Sequence, residues 1–205
     1  MKKLKIMRKI FFYAVIICVL IGSFGCNKNL STEKQYELLT SNKLSDIPIE
    51  ISWINDVYDL KTCVGFADYV FVAKVTGYKR TIFDTPSEIP QTVYSIEVIE
   101  NIKGNLVLKK DIEILKMGGL DEKFRHIYNI SDDSHPQVDK YYIFCTSASE
   151  SGELRAQGPN SNLEIENIDK LEENTNYLNI LDAYENQEFL TEKERFTSKY
   201  DNAKN

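Results

Sequence analysis

The longest apolar run in the chain comes first: Ile10 to Phe24 (IFFYAVIICVLIGSF), behind a basic stretch at residues 2–9 and ahead of polar Asn27-Lys28-Asn29. A membrane-spanning helix needs roughly 20 apolar residues, so this run is short for one. A cationic head, a short apolar body and a polar exit are the layout of an export leader. Residues 27–50 are polar and weakly patterned, which predicts a flexible tether. Trp53, Val57, Leu60 and Val64 then recur at helical spacing. They predict a short amphipathic helix that ends near Gly65, with that glycine as its C-cap.

From Tyr69 the period changes to two. Tyr69–Thr81 sets Val70, Val72, Lys74 and Thr76 on one parity and Phe71, Ala73, Val75 and Gly77 on the other. Gly77 within such a run predicts a bulge or a sharp bend. Thr85-Pro86-Ser87 and Pro90 mark a loop. In Thr92–Ile102 the apolar parity switches near Val98-Ile99, which predicts a second irregularity. Lys103-Gly104-Asn105 is a turn, Leu106–Met117 a further strand, and Gly118-Gly119 its break. A polar stretch follows to Lys140, then short strands at Tyr141–Thr146, Leu154–Gln157 and Leu163–Ile165. The pattern predicts a mainly β fold: a small five-stranded antiparallel barrel, with a short helix before it and a C-terminal helix over residues 175–196. The final residues read as a frayed tail, and the acids around that helix as a solvated face.

Four segments result: an export leader at 1–25, Cys26 with its tether at 26–50, the β-domain at 51–166, and an acidic helix and tail at 167–205. Charge sharpens this picture. Lys2, Lys3, Lys5, Arg8 and Lys9 are all cations, and the first 26 residues carry no acid; the remainder holds 20 Lys and Arg against 31 acids, a net charge of −11. Phosphate backbones are bound by clustered cations, so nucleic acid is excluded as a partner. The acidic body is also repelled by anionic headgroups, so contact with a membrane falls to the N-terminus.

Gly25-Cys26, directly behind the apolar run, resembles a bacterial lipoprotein signal. Ser23 and Phe24 depart from the aliphatic and small residues which that family prefers at those positions. The resemblance implies a diacylglyceryl thioether on Cys26, with a fatty acyl chain such as palmitate on its amine. The expected location is the extracellular face of the cell membrane. Two or more acyl chains give stable anchoring where one does not. An uncleaved anchor with an incidental Cys26 is the competing reading, and it too places the body outside. Cys18 would leave with the leader. In an exported body Cys63 and Cys145 are then either a disulfide pair or two buried thiols.

Ala67-Asp68-Tyr69-Val70-Phe71-Val72-Ala73-Lys74-Val75 resembles the first strand of the tissue-inhibitor and netrin-like barrels, an OB-type fold. Tyr94 to Gly104 (YSIEVIENIKG) is similar to their second strand and its Lys-Gly turn. Asp139-Lys140-Tyr141-Tyr142-Ile143-Phe144 is similar to a later strand, with Asp139 where the family has Gly. The likeness covers about residues 66–160 and implies an OB-like barrel. Animal members are inhibitors held by several disulfides. Cys63 and Cys145 cannot reproduce that framework, so the inhibitory wedge does not carry over.

Chemistry-bearing residues are sparse. His126 and His135, the only histidines, share the 118–140 stretch with Asp132, Asp133 and Asp139. His126, His135 and Asp133 form a candidate metal triad, because two imidazoles and a carboxylate suit Zn²⁺. Ser131, His135 and Asp133 compose a Ser-His-Asp set on paper, but no G-x-S-x-G elbow accompanies them. Glu97/Glu100 and Asp132/Asp133 are carboxylate pairs explained as solvent-facing acids. Tyr78, Tyr94, Tyr128, Tyr141 and Tyr142 exceed the needs of one small core, and Tyr78, Tyr94 and Tyr128 form a candidate ligand face. The expectation is therefore a non-enzymatic surface lipoprotein, without a cofactor, that binds an envelope protein, peptide or glycan. The alternatives are a metal-assisted hydrolase built on the 118–140 stretch, or a lipoprotein that protects its own cell from a secreted toxin.

Overall fold

Alternating apolar residues build the two longest strands, β2 (Tyr69–Ile82) and β3 (Gln91–Lys103), which pair antiparallel. In the computed structural model, which describes residues 30–188 and 192–204, hydrogen bonds run on around a ring. β3 pairs with β4 (Asp111–Met117), β4 with β8 (Leu154–Ala156), β8 with β7 (Tyr141–Ala148), and β7 closes on β2. The fold is mainly β, as the pattern predicts. The ring is not wholly antiparallel, because β4 and β8 run parallel. β9 (Asn162–Ile165) pairs with the other side of β7. The export leader and Cys26 lie outside the described residues.

Both predicted irregularities are present. The β2–β3 register slips between Val75 and Gly77, and again where Val72 faces Glu100 and Ala73 faces Val98, leaving Ile99 as an extra residue. Such slips sharpen strand twist and help a short sheet to curl. Gly104 takes φ +85° in the turn after β3, and a Cβ there would stand 2.3 Å from the Tyr69 ring.

Two apolar layers result. Phe71, Ala73, Val75, Ile96, Ile114 and Phe144 fill the interior of the ring, with the Phe71 and Phe144 rings stacked at 5.7 Å. The opposite parity of β2 and β7, including Val70, Val72, Ile143 and Cys145, is also buried, beneath α2 (Leu60–Phe66) and α3 (Thr175–Glu185). This double burial explains why β2 is apolar on both parities. Each buried Val or Ile contributes roughly 1.5–3 kcal/mol.

The helices are shorter than their periodicity suggests. α2 begins at Leu60, because Asp59 caps it: its Oδ2 accepts from Thr62 N and from Thr62 Oγ1, both at 2.7 Å. Upstream, the Asp56 carboxylate accepts from the amides of Tyr58 and Asp59, holding a turn where a helix is expected. Gly65 lies inside α2 and is not its C-cap; Ala67 is. A Cβ on Gly65 would lie 2.0 Å from the Glu188 carbonyl oxygen, so glycine is needed there for a close backbone approach. α3 starts on Asn174, whose side chain accepts from Tyr177 N at 3.1 Å, and stops at Glu185, well before residue 196.

Three segments expected to be irregular are ordered. Within 27–50, α1 (Thr32–Thr40) buries Leu39, and β1 (Ser45–Ile49) pairs with β6 (His126–Ile130) in parallel. β6 also pairs with β5 (Gly119–Leu120), so the 118–140 stretch contains two strands. The predicted frayed tail returns to the sheet. Asp68 holds Lys193 at 3.1 Å and Arg195 at 2.9 Å, Tyr69 Oη donates to Asp201 at 2.9 Å, and Ser198 is fully buried.

Candidate functional site

Where α2, the irregular 51–59 segment and the outer face of β7 and β8 meet, a cavity of about 250 Å³ remains. Its apolar wall includes Trp53, Val57, Cys63, Phe66 and Cys145. The Trp53 indole lies against Gly158, and the Asn160 amide donates to the carbonyls of Val57 at 2.9 Å and Tyr58 at 3.1 Å. These contacts fasten the 51–59 segment to the turn between β8 and β9. Cys63 and Cys145 are both free thiols. Burial pushes Cys63 up to about 11 and Cys145 up to about 12, so neither is an activated nucleophile.

Two further polar side chains stand on this wall, Arg155 and Gln157. Arg155 Nε is buried and has no hydrogen-bond partner among the described residues, although Arg155 Nη2 reaches Glu153 Oε2 at 3.4 Å. The Gln157 carboxamide also bonds to none of the described side chains or backbone groups.

Ser161, at the same wall, leads to a buried polar cluster. Lys116 Nζ donates to Ser161 Oγ at 2.6 Å and to Asp133 Oδ1. Asp133 Oδ2 accepts from the Gly158 amide at 3.1 Å, and Asn162 Nδ2 donates to the Ser134 carbonyl at 3.1 Å. Burial drives Lys116 below its ordinary value and Asp133 above it, and their mutual attraction opposes both shifts. With Lys116 charged and paired with Asp133, it donates to Ser161 and takes no proton from it.

The predicted metal triad is not brought together. His126 Nδ1 lies 2.8 Å from Ser45 Oγ, His135 bonds to Tyr94, and Asp133 is paired with Lys116. Among the described residues no three His, Cys, Asp or Glu side chains form a group able to hold a metal ion. The Ser131-His135-Asp133 set fails likewise, because His135 and Asp133 serve other partners. His135 is buried, which holds its imidazole down to about 3. It donates to the Tyr128 carbonyl, which leaves Nδ1 to accept from Tyr94 Oη at 3.1 Å.

The tyrosine ligand face is also corrected. Tyr94 is fully buried, and Tyr78 is buried with its hydroxyl on Gln35 and Thr81. Both pack edge to face in the interior, with ring centroids 6.1 Å apart. Tyr128 is half-buried beside a separate open depression with Phe83 and Arg125. Tyr142 is buried, Glu100 accepts from Tyr177 Oη, and Asp139 pairs with Lys74. Sequence reasoning did not find Arg155 or Gln157 as wall residues. Both fall in a predicted strand, and nothing in that strand signals which outward residues a distant segment will roof over.

No protein-family model matches the chain, and no curated protein is significantly similar to it.

Proposed function

We propose that the chain is an exported bacterial lipoprotein, moored through Cys26 to the outer face of the cell membrane, and that its β-domain is an OB-like barrel acting as a non-enzymatic binding module. The observation that carries this reading is Gly25-Cys26 directly behind a basic and then apolar leader. The order β2-β3-β4-β8-β7 with closure on β2, and a parallel contact between β4 and β8, the third and fifth ring strands along the chain, supports the OB-like assignment. The cavity under the 51–59 segment supports a binding role, since its wall is largely apolar and its two cysteines are held as thiols. The partner is an envelope protein, peptide or glycan, and not nucleic acid.

Metabolic labelling with an alkyne fatty acid tests the anchor. The full chain takes up label in the membrane fraction, and Cys26→Ala does not. A soluble cytosolic product that keeps Met1 and carries no acyl group would overturn the proposal.

A further inference from the structure

We propose that Lys116 and Asp133 condense in the folded protein into an intramolecular isopeptide bond, an amide that joins the lysine Nζ to the aspartate Cγ and ties β4 to the segment leaving β6. The cross-link depends on neither the lipid anchor nor the ligand cavity, so it goes beyond the lipoprotein reading.

Contact is the first observation. Lys116 Nζ donates to Asp133 Oδ1, so the nitrogen stands against the carboxyl group whose carbon it joins. The two side chains are 1% and 2% exposed. Each is therefore held to one partner, and fixed proximity of this kind turns a bimolecular encounter into a unimolecular step. Among the described residues Nζ has one other hydrogen-bond partner, Ser161 Oγ at 2.6 Å, and no second carboxylate competes for it.

Protonation is the second. An ammonium cannot attack a carboxylate, whereas a neutral amine can attack a neutral carboxylic acid. The resting ion pair becomes that neutral pair when one proton shifts from Nζ to Oδ1 along their existing hydrogen bond. Burial favours the shift, since it drives the lysine below its ordinary value and the aspartate above it. Attraction between the two charges opposes the shift, so the neutral pair is the minor form from which reaction proceeds.

The step balances without an oxidant, a reductant or a cofactor. The Nζ lone pair forms the N–C bond to Cγ. Oδ1, already protonated, takes a second proton from Nζ and leaves as water, and Oδ2 stays behind as the amide oxygen. The Gly158 amide donates to Oδ2 at 3.1 Å, where negative charge gathers as the carbon becomes tetrahedral. His135 takes no part, because its ring nitrogens serve Tyr94 Oη and the Tyr128 carbonyl.

The setting is the third observation. Two charges held out of water carry a desolvation penalty that their attraction offsets only in part, and condensation removes both. The enclosure that excludes solvent also shields the amide from hydrolysis. The bond joins positions 17 apart and fastens a strand of the ring to the chain beyond the three-stranded sheet of β1, β6 and β5. Cys63 and Cys145 are free thiols, so no disulfide between them supplies such a brace.

Mass spectrometry of the full-length protein tests the cross-link. Protein folded in detergent micelles is denatured and digested with trypsin, which does not cut after an acylated lysine. The expected product is residues 111–123 joined to residues 126–140, lighter by one water than the two peptides taken separately. Fragmentation should place the branch on Asp133 and not on the adjacent Asp132. Chain recovered from insoluble aggregates and kept in guanidinium chloride should lack the product, and should gain it on refolding with no added enzyme, because only the fold brings the two groups together. Lys116→Arg keeps the positive charge but has no amine to acylate, and Asp133→Ala has no carboxyl; neither should give the product. Near-UV circular dichroism shows whether these variants fold, and the wild-type digest decides the matter by itself if they do not. The proposal is overturned by complete cleavage after Lys116 in the folded wild type, by loss of water confined to residues 126–140, by a branch on Asp132, by the product persisting in Asp133→Ala, or by its formation in the denatured chain.

Discussion

Lys116 and Asp133 form an ion pair inside the protein, with side chains 1% and 2% exposed. β4 brings the lysine, and the residues following β6 bring the aspartate. The pair is also an anchor for the cavity, because Lys116 donates to Ser161 and Asp133 accepts from the Gly158 amide. Breaking such a pair from one side strands a charge in a medium that cannot solvate it. Lys116→Met or Asp133→Leu alone should cost about 3–5 kcal/mol in urea unfolding. The double variant should cost less than the worse single one, because no charge is left behind. A double variant that costs the sum of the two would mean the side chains act independently.

His135 makes stability depend on pH. Its imidazole is held down to about 3, against an ordinary value of 6.5, with burial the largest cause and the Lys116 charge next. The unfolded chain therefore takes up this proton as pH falls below 6.5, and the folded chain does not until about 3. The stabilisation is complete above the ordinary value and is lost as pH drops, at a slope of about 1.4 kcal/mol per pH unit. His135→Asn should be less stable at neutral pH, since Tyr94 Oη loses its acceptor. Its urea midpoint should then fall more gently between neutral pH and pH about 4.5. Parallel curves for wild type and variant would show that His135 is not the titrating group.

The return of the C-terminal residues depends on Asp68. Its carboxylate is 5% exposed and carries Lys193, Arg195 and the Ala148 amide at once. Asp68→Asn keeps an oxygen for the amide and removes the charge that holds both cations. Trypsin should then cut at Lys193 and Arg195 roughly tenfold faster in the folded variant, as that segment opens more often. Unchanged cleavage would place the hold elsewhere, on Tyr69 and its bonds to Asp201 and Ser198.

The parts of this fold that could be read from the sequence are those with local causes. Gly77 and the parity switch at Ile99 announce their register slips, because a period of two leaves no slack. The β1 segment, Ser-Asp-Ile-Pro-Ile, gives no such cue: it is mostly exposed, and its partner β6 lies about 80 residues away. The same distance problem hides the site. Asp59 and Asp56 set local turns that shorten an otherwise credible helix, and only the finished fold brings the resulting segment and Arg155 to one cavity. Tyr94 reads as a strand residue of either face. His135 reads as a loop ligand until the two are seen to bond. Gly65 reads as a helix stop, although its need for glycine comes from Glu188, which is distant in the chain.

Cys63 and Cys145 supply a test that joins the cavity to the maturation of the chain. Both are free, Cys145 is the more buried, and burial raises Cys63 to about 11 and Cys145 to about 12 against an ordinary 9.0. Thiolate is the reactive species, so at mildly alkaline pH the folded protein should label with iodoacetamide roughly a hundredfold more slowly at Cys63 than an unhindered thiol does, and more slowly again at Cys145. In guanidinium chloride both should react at the ordinary rate. The number of thiols that appear then reports on the leader: the sequence has four cysteines, cleavage removes Cys18, and acylation blocks Cys26. Membrane-extracted protein should therefore titrate with two thiols after denaturation. Four would mean an unprocessed chain. None, with two restored by reductant, would mean that Cys63 and Cys145 pair oxidatively in the cell envelope. Fast labelling of Cys63 in the folded state would instead show that the cavity wall admits reagent freely and that burial does not protect this thiol.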